Sequence, residues 1–166
     1  MIYLIGSIPS IGFSQGAEPV PQEASDPKGA IIIASLNGEV TVINNATGLA
    51  KAKAEVAAGK LIFDGHTIKT GKGAKVILLF STGTVTTLKE DSVLNIKKFS
   101  QAKPDKPVNF KELKEEPSSS DTLIDLNVGD MVVDIKKLRK DSWGKDDRAT
   151  YNSRMTLVQI RLLQTA

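Results

Sequence analysis

The sequence predicts a mainly β protein, a compact sandwich or roll of short antiparallel strands joined at glycine turns. Three observations predict it. Between Gly59 and Ile96, short apolar runs are broken by turn residues about every ten positions, the cadence of packed strands. The runs are rich in β-branched residues, and several alternate apolar with polar. Apolar residues make up 40% of the chain but aromatic ones only 5%, so the core is built from Val, Ile and Leu. A β-helix-like winding is the alternative, because short strands with regular glycine turns suit both architectures.

Taken in order, residues 18–30 form a Pro-rich flexible linker and folding is expected to begin near Ile31. Ala30–Ser35 is a continuous β-branched run, turned at Leu36-Asn37-Gly38. Val40 and Val42 then share one face of a strand, and Asn44–Gly48 is a second turn cluster. Its Asn45-Ala46-Thr47 triplet spells a glycosylation acceptor, which is read as chance. Leu49–Ala58 has helix-forming residues, yet its lysines alternate with alanines. It is read as a strand or extended loop whose lysines guard a sheet edge.

Leu61–Phe63 is a short strand, Asp64-Gly65 a turn, and Thr67–Thr70 extended again. Ala74–Phe80 places Ala74, Val76, Leu78 and Phe80 on one face and Ile77 and Leu79 on the other, so it is expected to be a central strand buried on both sides. Leu88, Leu94, Ile96 and Phe99 complete the predicted core with Val76, Leu78 and Phe80. The polar stretch 100–121 reads as a surface excursion, with a short helical piece near 109–115. Leu123–Ile135 resumes the β pattern, and a second helical piece, or a strand, is expected near 155–163. Leu36–Val42 and Leu126–Val133 are similar enough to suggest an internal repeat.

The block Gly59–Ile96 resembles the FecR-type periplasmic domain. The resemblance rests on Gly59, Leu61, Gly65, Ile68, Thr70, Gly71, Ala74, Leu78, Gly83, Thr84, Leu88, Ser92, Leu94 and Ile96 at unbroken spacing, with Glu39–Val42 similar to the family's first strand. It covers about Gly38–Leu138. Two departures stand out. The family's Asp after the turn glycine is His66 here, and Asp64 is expected to take over that turn's hydrogen bonding. After Ser142 the family's closing strands are not recognisable, so residues 143–166 are read as a divergent or frameshifted tail. The resemblance implies an extracytoplasmic β domain, residues 31–142. In the family's best-known members such a domain belongs to a membrane regulator that relays an outer-membrane signal to a sigma factor.

Composition narrows function further. The net charge is only +3, and Lys136, Lys137, Arg139 and Lys140 are the nearest thing to a basic cluster, so a nucleic-acid partner is not expected. Without cysteine there is no disulfide, thiolate nucleophile or thiolate-bound zinc. Met1–Phe13 is uncharged and apolar and precedes a small-x-small pattern at Ser14–Ala17. Residues 1–17 are therefore read as a truncated signal peptide, which places the protein in the periplasm or outside the cell. No segment reaches the roughly twenty apolar residues of a transmembrane helix.

No catalytic, cofactor or metal site is expected. His66, the single histidine, sits at a glycine turn near Asp64, Thr67, Thr70 and Ser81, and is read as a surface turn residue rather than a catalytic base. Gly65, Gly71, Lys72 and Gly73 do not make a phosphate loop: the glycines are one residue too far apart and a strand follows. Asp125, Asp130 and Asp134 are too spread for a calcium loop. Adjacent pairs Glu115-Glu116 and Asp146-Asp147 do not converge on a shared site. The expected function is a non-enzymatic protein-binding, signalling or scaffold module of the bacterial cell envelope, with a protein partner met by strand addition at a sheet edge. The alternative is a carbohydrate-binding or adhesive module, for which Tyr3, Trp143 and Tyr151 are the candidate platforms.

Overall fold

The computed structural model describes residues 27–139, 148–153 and 158–162. Its strands are β1 (Ile31–Asn37), β2 (Val40–Asn44), β3 (Leu61–Ile62), β4 (His66–Thr70), β5 (Lys75–Phe80), β6 (Val85–Leu88), β7 (Val93–Gln101), β8 (Ser120–Val128), β9 (Met131–Ile135), β10 (Arg148–Ser153) and β11 (Val158–Leu162). They form two sheets, one ordered β11-β9-β6-β5-β1-β3 and the other β10-β8-β7-β4-β2. The protein is a mainly β sandwich without a closed barrel.

The core follows from strand alternation. Val76, Leu78 and Phe80 of β5 point inward with Ile31 and Ile33 of β1, and meet Leu94, Ile96 and Phe99 of β7 from the facing sheet. Phe80 and Phe99 pack edge to face with ring centroids 5.0 Å apart. Each such buried side chain contributes about 1.5–3 kcal/mol relative to exposure.

The chain passes from one sheet to the other at most of its turns. Leu36–Val42 and Leu126–Val133 both make such a crossing, the first between β1 and β2, the second between β8 and β9. At the second crossing Gly129 has φ +92°, and a Cβ there would overlap Ser92 of the neighbouring turn. Only glycine satisfies both conditions.

Several expectations are corrected. Pairing begins before Ile31: the Pro27 carbonyl accepts from the Gln101 N–H at 2.9 Å, and Gly29 donates to Phe99 O at 3.0 Å. Gly29 lies against the Phe99 ring, where a side chain would not fit. Leu49–Ala58 divides in two. Ala50 bridges to Ile43 and Lys51 donates to Val42 O at 2.7 Å, an extended cover for β2 as expected. Lys53–Glu55 then forms a 3₁₀ turn, with Glu55 accepting from the Ala52 N–H. Residues 109–115 form no helix; Glu112 donates to Asn109 O in a single turn.

The larger correction concerns the tail. Residues 158–162 are strand β11 rather than helix, because Val158, Ile160 and Leu162 alternate with Gln159 and Arg161. Positions 155–157 and 163 lie outside the described residues. β10 and β11 extend the two sheets, each in parallel register: Tyr151 opposite Ile124, and Ile160 opposite Val133. Strands β8 to β11 thus alternate between sheets, and each parallel pair uses the intervening strand as its crossover.

β5 also departs from expectation. Its inner face is fully buried, but Ile77 and Leu79 on the outer face are only half-buried. No third sheet or helical layer lies over them among the described residues.

Candidate functional site: the outer face and free edge of the larger sheet

The half-buried residues of β5 belong to a longer pattern. The registers place Leu61 of β3 opposite Ile32 of β1, Ile32 opposite Leu79 of β5, and Leu79 opposite Val85 of β6. All four lie on the face turned away from the core. Beside this row, Ile77 faces Thr87, which faces Val132 of β9. Within these rows there is no charged side chain until Asp134, opposite Val85.

The outer face of the other sheet is different. It carries Thr41, Thr67, Lys69 and Asn95 interspersed with Ile43 and Val93, and Lys97 pairs with Asp125 and Lys98 with Asp121. One face of the sandwich is built for water and the other is largely aliphatic. A contiguous apolar surface rimmed by polar residues marks an interaction site more often than scattered exposed residues do.

The aliphatic row ends at a sheet edge. β3 is the terminal strand of its sheet. Ile33 donates to Lys60 O, which fixes the hydrogen-bonded phase of the β1–β3 ladder. In that phase Ile62 bonds to β1, while the N–H and C=O of Leu61 and the N–H of Phe63 point to the open side. Leu61 and Phe63 are also exposed, at 50% and 38%. By contrast, the edge of β2 is covered by the Leu49–Lys51 segment.

The residues singled out by sequence are placed as follows. His66 is buried, not at the surface, and its Nδ1 lies 3.1 Å from both the Phe63 and Asp64 carbonyls. Two carbonyl partners require Nδ1 to carry the proton. The imidazole closes the turn, while the Asp64 carboxylate pairs instead with Lys28 at 3.3 Å. Ser81 bonds to Gln101 and Ala30, and Thr70 to Lys89 O, so neither hydroxyl is directed to His66. In the Gly71–Gly73 turn, Gly71 donates to Glu39 O and Gly73 to Glu90 Oε2, a carboxylate where a phosphate loop would hold an anion.

Asp125 is held by Lys97 in one sheet, Asp134 lies in the other, and Asp130 donates its N–H to Ser92 Oγ at the crossing between them. No group of three or more His, Asp or Glu residues among the described residues is arranged to hold a metal ion. Glu115 pairs with Lys137, whereas Glu116 is buried and accepts from Ser120. Arg139 donates to Pro117 O, so it and Lys137 are both tied to the 102–119 loop. Lys140, Trp143, Tyr3 and Asp146-Asp147 lie outside the described residues, and Tyr151 is placed by its backbone in β10.

No helix among the described residues is long and apolar enough to cross a membrane. Comparison with known proteins finds no matching family model, no matching curated protein and no matching solved structure. The functional reading therefore rests on the chain's own surface chemistry and the motif resemblance.

Proposed function

We propose that the protein is a non-enzymatic, FecR-like protein-binding or scaffold module of the bacterial cell envelope, periplasmic or secreted, which docks a protein partner through the outer face of its larger sheet. The observation that carries this reading is the uncharged row Leu61–Ile32–Leu79–Val85, left without a covering layer among the described residues. The extracytoplasmic placement draws on the apolar Met1–Phe13 segment and the motif spacing of Gly59–Ile96. A role in relaying a signal would use the same face. A carbohydrate platform finds less support, because the exposed aromatic rings Phe63 and Phe110 belong to different segments.

The test is site-specific photo-cross-linking in the cell envelope, with the reactive residue at Leu79 and, as control, at Thr41 on the opposite outer face. A discrete protein adduct from position 79 and none from position 41 supports the reading. Equal labelling at both positions, or adducts from 41 alone, defeats it.

A further inference from the structure

We infer that the protein pairs with a second copy of itself by antiparallel addition of β3 to β3, about a two-fold axis at Ile62. The inference rests on reading this side of the sandwich as an interaction surface, and it names the partner. The sequence of the edge, Lys60-Leu61-Ile62-Phe63-Asp64, is self-complementary when reversed. With Ile62 opposite Ile62 of the second copy, Leu61 faces Phe63 and Lys60 faces Asp64, whose Oδ1 holds Lys28 of its own chain and whose Oδ2 is left for the new pair. Each apolar residue meets an apolar one and each charge meets its opposite.

The backbone phase agrees with this register. Residues that exchange hydrogen bonds across a new antiparallel pair must be those whose polar groups point away from β1. On β3 these are Leu61 and Phe63, the pair that this register sets opposite each other. The Phe63 N–H meets the Leu61 carbonyl of the second copy, and the two-fold axis repeats the bond. The Phe63 carbonyl already accepts from His66, and its second lone pair remains for the Leu61 N–H. A two-fold interface of this kind uses one patch twice and closes, so it stops at a dimer. It also sets the two aliphatic rows side by side, each Leu61 meeting Phe63 of the other copy, and so enlarges the face proposed to bind a partner. The edge is short, so association in the micromolar to millimolar range, about −8 to −4 kcal/mol, is expected.

Charge reversal provides the test, with the full chain at low ionic strength and mass followed by sedimentation over that concentration range. The wild type is expected to pass from monomer to dimer. Lys60→Asp places two carboxylates opposite each other, and Asp64→Lys two ammonium groups. Each is expected to weaken self-association by about tenfold or more. An equimolar mixture of the two variants is expected to dimerise again, because both cross-strand charge pairs are then opposite in sign. That rescue also shows that both variants are folded. A wild type that stays monomeric, variants that dimerise like the wild type, or a mixture that stays monomeric would each overturn the inference. A monomeric wild type that still cross-links a different protein from position 79 removes the dimer and leaves the protein-binding reading intact.

Discussion

His66 holds the β3–β4 turn through Phe63: its ring N–H is 3.1 Å from the Phe63 carbonyl and equally close to that of Asp64. The turn therefore depends on a buried donor rather than on a carboxylate. His66→Ala removes that donor, leaves two carbonyls short of a partner and opens a small void. It should cost about 1–3 kcal/mol. His66→Asn keeps an N–H near the turn and should recover part of the loss. Urea unfolding of both variants checks the order; an alanine variant as stable as the wild type would show that the imidazole contributes nothing.

Gln101 links the first described residues to the base of the 102–119 loop. Its side chain bonds to Ser81 and Ser118, and Ser81 also accepts from the Ala30 N–H. Gln101→Leu would take the acceptor from the Ser81 O–H and the donor from Ser118 Oγ, while Ser118 keeps its bond to Ala102 O. A loss of about 1–3 kcal/mol is expected, with faster amide exchange at Ala30 and Ala102. Unchanged exchange at both amides would argue that the network is decorative.

Two glycines separate backbone strain from lack of space. Gly65 has φ +73° and open space where a Cβ would stand, with no atom within 4 Å, whereas Gly129 has φ +92° and would drive a Cβ into Ser92. Gly65→Ala should cost about 1–2 kcal/mol, the strain of a left-handed alanine. Gly129→Ala should cost more, because a neighbouring turn must also move. Thermal unfolding distinguishes the two; equal losses would mean that the β8–β9 crossing yields without penalty.

β5 shows how much of the fold is legible in the sequence and where legibility stops. Its alternation identifies the strand, the inner face and the core partners, since Val76, Leu78 and Phe80 are apolar because they are buried. The outer face is not legible in the same way. Ile77 and Leu79 look alike in sequence whether a second layer of the same chain covers them or another molecule does. The parallel strands are hidden for a related reason: β10 and β11 pair with β8 and β9 across long separations, so no local turn motif announces them. His66 looks exposed in sequence because a turn position says nothing of how deeply the turn is set between strands.

The same strand supplies a paired stability test. Leu78→Ala should cost about 2–5 kcal/mol, as expected for a truncated core leucine. Leu79→Lys should change stability by about 1 kcal/mol or less, because the long side chain can carry its charge to water from a half-buried site. If Leu79→Lys unfolds the protein as Leu78→Ala does, the outer face is core, and its role in binding falls with it.

Strand β9 lies between β6 and β11, so its amides report on each neighbour separately. Lys89 donates to Asp130 O, which sets the phase of the β6–β9 ladder: Val132 and Asp134 bond towards β6, and Met131, Val133 and Ile135 point towards β11. Arg161→Pro removes the β11 N–H that this phase directs at the Val133 carbonyl and so disturbs the parallel pair. Amide exchange at Val133 and Ile135 should then accelerate while Val132 and Asp134 stay protected. Alternation of this kind along one strand is specific to loss of a single neighbour, whereas uniform acceleration would mean that the whole sheet had loosened. No change at any of these amides would mean that β11 does not close this edge of the sheet in solution.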